Sequence, residues 1–128
     1  MKRLDSKEFD ARREECGQTA GDVLDFLRTV AEHVGSHVDP PTFEVRGVGI
    51  AYWTAGKRFC RFDPKPRAGH VWALVPGGNL VALAFAGTVS EREDGPWVTI
   101  KDMRGAVRLV PEILRAYDAA TQKAAARR

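Results

Sequence analysis

The chain is 128 residues long, 44% hydrophobic and 29% charged, with a formal net charge of +3. This length supports one hydrophobic core and a single domain spanning 1–128. No window approaches ~18 uninterrupted apolar residues, which excludes a membrane span, and two cysteines are too few for a disulfide framework.

The N-terminus, Met1-Lys2-Arg3-Leu4-Asp5-Ser6, has basic residues with no apolar run behind them, unlike a secretory leader. The expected setting is a reducing cytoplasm in which Cys16 and Cys60 are free thiols; a Cys16–Cys60 bridge is the alternative. The basic excess is uneven. Residues 1–36 carry net −2, residues 37–104 net +2 and residues 105–128 net +3. Such a distribution permits binding to a polyanion without requiring it.

Residues 5–16 read as a weak helix, with Asp5 and Glu8 at capping-box spacing and few apolar anchors (Leu4, Phe9, Cys16). The expectation is a loosely packed segment over 1–18. Thr19 opens a stronger helix in which Val23, Leu27, Val30 and Val34 recur at helical spacing, widened by Leu24, Phe26 and Ala31. Gly35 stops it, and Pro40-Pro41 prevent resumption.

From Thr42 to Ile100 the pattern is that of strands. Phe43 to Arg46 alternates; Val48, Ile50, Tyr52 and Thr54 share one face of the next strand. Ala55-Gly56 can turn the chain into a partner strand, Arg58 to Phe62. The run 63–69, Asp-Pro-Lys-Pro-Arg-Ala-Gly, is expected to be a loop because of its prolines. Val71 to Val75 is an apolar strand and Pro76-Gly77-Gly78-Asn79 a turn. Leu80 to Phe85 is expected to be a strand, although its alanines also permit a short helix; Gly87 to Asp94 is expected to be an exposed loop, and Trp97 to Ile100 the last strand. Asp102 then caps a helix with Met103, Val107, Val110, Leu114 and Tyr117 on one face, and Pro111 kinks or divides it. Residues 121–128 form a frayed basic tail.

The order α-α-β-β-β-β-β-β-α predicts an α+β fold of two layers: an antiparallel, meander-like sheet covered on one face by the N- and C-terminal helices.

Three stretches carry a family resemblance: the entry Val23 to Arg46, the hairpin Val48 to Phe62, and Gly95-Pro96-Trp97-Val98-Thr99-Ile100-Lys101-Asp102-Met103 followed by Val110 to Tyr117. In these, residues 20–120 resemble the small bacterial proteins of the YjbR/YdhG/CyaY-like (frataxin-like) group. The resemblance implies the same two-layer fold and, since some members are suspected of binding DNA, a possible nucleic-acid partner. Frataxins bind iron along an acidic first helix. Here Thr19 to Gly35 offers only Asp22, Asp25 and Glu32, offset by Arg28, so no iron role carries over, and no catalytic motif transfers.

Five places could carry function. The hairpin Lys57-Arg58-Phe59-Cys60-Arg61-Phe62-Asp63-Pro64-Lys65-Pro66-Arg67 places Lys57, Arg58, Arg61, Lys65 and Arg67 around two phenylalanines; cations neutralise phosphates and rings stack on bases. Strict alternation would put Phe59 and Arg61 on one face and Arg58, Cys60 and Phe62 on the other. The plainer reading is a solvated hairpin with core phenylalanines. His33 and His37 could chelate zinc only if the helix continued past Gly35, with Asp39 the sole nearby carboxylate. Cys60, beside Arg58 and Arg61, would be a reactive thiol if His70 served it, and otherwise a buried structural cysteine. Pro76-Gly77-Gly78-Asn79 could present amides to an anion or be a plain turn. Finally, Tyr52, Trp53, Trp72 and Trp97 could line a pocket; Tyr52 and Trp53, being neighbours, face opposite ways, so one lies on the sheet face away from the helices.

The expected function is therefore a small non-enzymatic protein, without cofactor, membrane or metal, that binds nucleic acid through the basic hairpin. The alternative is a protein-interaction module or homodimer using the face of Tyr52, Trp53 and Trp72.

Overall fold

The computed structural model describes residues 7–35, 42–46 and 49–126. The expectations placed on Leu4, Asp5, His37, Asp39, Pro40-Pro41 and Val48 lie outside them, as does the end of the basic tail. Two helices, α1 (Lys7–Glu15) and α2 (Gly17–His33), precede four strands, β1 (Thr42–Arg46), β2 (Gly49–Thr54), β3 (Lys57–Lys65) and β4 (His70–Leu74). A short helix α3 (Leu80–Ala84), the hairpin β5 (Thr88–Arg92) and β6 (Gly95–Ile100), and the long helix α4 (Met103–Ala126) complete the chain. All pairings are antiparallel, in the order β1-β2-β3-β4-β6-β5. The sheet is thus a meander as far as β4. The chain then detours through α3, so that β6 lies beside β4 and β5 forms the edge.

Helices α2 and α4 cover one sheet face, giving the two-layer α+β arrangement. Val23, Leu24, Leu27 and Ala31 of α2 meet Ile50, Tyr52, Phe59, Phe62, Val71 and Val98 of the sheet and Leu109, Ile113 and Tyr117 of α4 in one apolar cluster. Gly35 ends α2 with φ of +65°, and a Cβ there would fall 1.9 Å from Tyr117 Oη. Glycine is needed at this point both for the left-handed backbone and for the ring that crosses it.

The N-terminal segment differs from its expectation of loose packing. In α1 Phe9 is buried beneath Arg28, whose Cζ lies 5.6 Å from the ring centroid. Arg13 grips Asp25 of α2 through Nε (2.9 Å) and Nη2 (2.5 Å). This two-pronged pairing, which amphipathic periodicity cannot reveal, docks α1 on α2.

Four further expectations need correction. Leu80 to Phe85 is helical: Asn79 Oδ1 accepts the Ala82 N–H at 3.0 Å, capping α3. With only Leu83 buried in it, the segment has no alternating face to commit to a sheet. The loop expected at Gly87 to Asp94 contains β5. An edge strand can be polar on both faces, and here only Val89 is even partly buried, so its strand signal is faint. In α4 the buried face is Ala106, Leu109, Ile113, Tyr117 and Ala120, while Met103, Val107 and Leu114 are 39%, 53% and 41% exposed. The small residues Gly105 and Ala106 rotate the helix: a Cβ on Gly105 would sit 2.4 Å from the Ala86 carbonyl, so the backbone itself approaches there. Pro111 lies on the exposed side of this one helix. The Asp102 cap is present, with Oδ1 accepting the Gly105 N–H at 2.9 Å.

The fourth correction concerns β3, which runs through Pro64 to Lys65. Proline is tolerated because the pairing with β2 extends only to Ile50 and Phe62, while Pro64 pairs with Val71 of β4. Its missing N–H therefore meets no ladder partner on the β2 side among the described residues. Near the start of β3 the register with β2 shifts between Tyr52 and Trp53, a β-bulge. Tyr52 stands opposite Cys60 and Trp53 opposite Arg58, leaving Phe59 as the extra residue. Phe59, Cys60 and Phe62 all enter the core, and Arg58 and Arg61 share the other face. Strict alternation fails at this one residue.

Candidate functional site

The sheet face away from the helices is set by the register. Ala51, Trp53, Arg58, Arg61, Asp63, Lys65, His70, Trp72, Leu74, Trp97, Thr99, Ser90 and Arg92 fall on it by pairing. Ala51, Leu74 and Trp97 are buried there, yet outside the main core cluster. Trp97 Nε1 donates to Asp94 Oδ1 at 2.9 Å. Trp72 reaches over the face with two cations at its ring: Lys65 Nζ at 4.6 Å from the centroid, from the β3 side, and Arg92 Cζ at 5.0 Å, from the β5 side. At these distances each cation is attracted by the ring's electron-rich face.

The five predicted cations do not form one cluster. Arg58, Arg61 and Lys65 lie on this outer face. Arg61 is held by the buried Asp63, Nε to Oδ1 at 2.7 Å, over the bare backbone of Gly49, where a Cβ would meet that same oxygen at 1.8 Å. Its charge is thereby largely neutralised. Arg67 stands exposed in the turn between β3 and β4, which Gly69 closes with φ of +68° and an N–H to the Lys65 carbonyl at 2.9 Å. Lys57 departs from the group: it lines a cleft of about 420 Å³ on the helix side, with Glu112, Arg115 and the Pro76–Asn79 turn.

The aromatic candidates divide as well. Trp53 and Trp72 are on the outer face, but Tyr52 is not. It is fully buried on the helix face, its hydroxyl donating to Glu32 Oε2 at 2.5 Å. Burial, reinforced by the neighbouring Glu32 carboxylate, holds the Tyr52 phenol above its ordinary pKa. It belongs to the core, and the partner face built on it is corrected accordingly.

Around the end of β3 the outer face continues into a cleft of about 370 Å³ against α1, lined by Arg12, Glu15, Lys65, Pro66, Arg67 and Trp72. Arg12 Nε is buried there without a hydrogen-bond partner. Arg12, Glu15 and Arg92 had no place among the sequence candidates. Their segments gave no strand or binding pattern, and only the fold carries them to Trp72.

The remaining candidates resolve simply. Cys60 is fully buried, and burial pushes its thiol well above its ordinary pKa. His70 pairs with Lys65, five residues along β3 and on the opposite face, so it cannot serve that thiol. Cys16 and Cys60 are both free, which removes the bridge. The Gly78 N–H is taken by the Val75 carbonyl at 3.0 Å, so Pro76–Asn79 is a hydrogen-bonded turn. His33 Nδ1 lies 2.8 Å from the Thr29 carbonyl and, since a carbonyl only accepts, carries the proton. Among the described residues no three His, Cys, Asp or Glu side chains gather as a metal site, and no helix is long and apolar enough to cross a membrane.

The chain matches no protein-family model, no curated protein and no solved structure.

What the outer face offers chemically is an aromatic platform set among cations. A ring of this kind can exchange its cation for a stacked planar group, while the released charges neutralise anionic groups alongside.

Proposed function

We propose that the chain is a non-catalytic binding protein that holds single-stranded nucleic acid across the outer face of its sheet. The observation that carries this reading is Trp72 with Lys65 and Arg92 at its ring. An open sheet face with a ring for the bases and cations for the backbone is a recurring way of binding unpaired strands. A six-stranded sheet is too broad for the major groove of a duplex, which admits a helix or a two-stranded ribbon. Bases splayed from a single strand meet no such barrier. The resemblance to the YjbR/CyaY-like group, some of whose members are suspected of binding DNA, supports the same direction.

Four cations, Arg58, Lys65, Arg67 and Arg92, border this surface, and among the described residues none of them pairs with a carboxylate. Four phosphate contacts give a salt slope of about −2.8 for a single strand, so raising salt from about 50 to 200 mM weakens binding about 50-fold. Anisotropy of a dye-labelled oligo(dT) 20-mer measures this directly, and Trp72→Ala is expected to cost about 1–3 kcal/mol. Absence of binding at the lower salt, or a Trp72→Ala variant that binds as wild type does, overturns the reading.

A second reading, association with a protein, is favoured at a different place. Val81 of α3 and Phe85, the residue just after it, are 72% and 67% exposed, bordered by Arg108 and Arg115 of α4. A second copy would set arginines against arginines, so the complementary partner is an apolar segment flanked by acids. Replacing Val81 and Phe85 with serine abolishes such an association and leaves oligonucleotide binding intact.

A further inference from the structure

The cleft at the end of the outer face contains a group that a phosphate-binding surface does not call for. Glu15 sits beside Lys65 and Arg67, where its carboxylate repels a nucleic-acid backbone. Beside it, Arg12 lines the cleft; its Nε is buried below the surface and unpaired, so it is the rest of the guanidinium that can reach a bound group. The two residues are three apart on α1, hence neighbours on one helix face, and they offer a donor and an acceptor side by side. The indole of Trp72 supplies the adjoining apolar wall.

We propose that this cleft holds one base of the bound strand and selects guanine; the inference rests on the single-strand reading above. The cleft's volume, about 370 Å³, falls at the lower end of the range for sites that enclose a small molecule, about 300–1,000 Å³. A base entering it stacks on Trp72, displacing the Lys65 ammonium toward the phosphate, where Arg67 joins it. The base edge then faces Arg12 and Glu15. Guanine carries the acceptor O6 next to two donors, N1–H and the exocyclic amine, and so satisfies the guanidinium and both carboxylate oxygens together. Adenine and cytosine bring a single donor group to a carboxylate. Thymine and uracil bring one N–H flanked by two carbonyl oxygens, which the carboxylate repels.

The test uses the full chain and calorimetric titration with the four ribonucleoside 5′-monophosphates, alongside oligo(dT) anisotropy. GMP is expected to bind about tenfold or more tightly than AMP, CMP or UMP, the consequence of one additional charge-assisted hydrogen bond. Glu15→Gln abolishes that preference while oligo(dT) binding is retained and strengthened, since the carboxylate that repels phosphates and thymine carbonyls is gone. Arg12→Lys, which keeps the charge but loses the forked guanidinium donors, also weakens GMP. Both residues are on the surface helix α1, and an unchanged urea midpoint confirms the fold of each variant. If oligo(dT) binds but the four nucleotides are equivalent, or if Glu15→Gln keeps the preference for GMP, the guanine site is refuted and the strand-binding surface stands. If neither nucleotides nor oligonucleotide bind, both are refuted.

Discussion

Gly35→Ala tests the packing of α2 against α4 at its tightest point. Two penalties combine there. The residue has φ of +65°, and forcing an L side chain into that region costs about 1–2 kcal/mol. The new Cβ would lie 1.9, 2.2 and 2.6 Å from Oη, Cζ and Cε1 of Tyr117. No methyl group tolerates those separations, so the ring must move. Tyr117 is buried and packs edge-on to Phe59, with centroids 5.4 Å apart and planes at 83°. Overpacking of such a site costs about 1–3 kcal/mol, giving a total of about 2–5 kcal/mol. Gly56 supplies the control, because its φ is +76° and nothing lies within 4 Å of its would-be Cβ. Gly56→Ala therefore carries the backbone penalty alone, about 1–2 kcal/mol. Urea unfolding of the two variants, followed by circular dichroism, should separate their midpoints by the equivalent of about 1–3 kcal/mol. In a Tyr117→Leu background the two costs should converge. Equal costs in the wild-type background would show that Tyr117 does not cross Gly35, and the account of that junction would fall.

Two other outcomes follow from local geometry. Ala55 adopts φ of +51° beside Gly56 at +76° in the β2–β3 turn, a backbone that suits Asn-Gly, so Ala55→Asn should raise stability by about 0.5–1 kcal/mol on the same urea assay. The Asp25 carboxyl is held below its ordinary value of 3.8, first by its hydrogen bond from Arg13. A lowered carboxyl pKa stabilises the folded form above the ordinary value and loses that effect as acid titrates the group below it. Amide exchange in α1 should therefore accelerate relative to the core as the pH drops below 3.8, and Asp25→Asn should remove that acid dependence; an unchanged pH profile in the variant would assign the docking of α1 to Phe9 alone.

The elements that periodicity reveals are those with one wet and one dry side. Val23, Leu27 and Val30 of α2, and the alternation around Trp97 to Ile100, announced themselves because each faces a single core. Where an element is polar on both sides, as in β5, or anchored by one buried leucine, as in α3, there is no contrast to read. The tilt of α4 was hidden for a different reason. Its larger apolar side chains, Met103, Val107 and Leu114, suggest one face, but close approach is decided by the absence of bulk at Gly105 and Ala106. The candidate site was half legible. Arg58, Arg61, Lys65, Trp53 and Trp72 were visible as residue types in one stretch of strands. That Lys57 and Tyr52 belong to the other side, and that Arg12, Glu15 and Arg92 join from remote segments, are consequences of register and docking.

The bulge at Phe59 bears on how this chain may be aligned with others. A strand position has meaning only as odd or even, and the extra residue changes that parity between Arg58 and Arg61. Two related chains, one with the extra residue and one without, could be superposed letter for letter along β3 with a high score and still have inside and outside exchanged over half its length. A gap placed one position too early would leave the outer-face Arg58 unaligned and score the core residue Phe59 as surface. Any search for conserved charge on this face must therefore fix the bulge first and count outward from it.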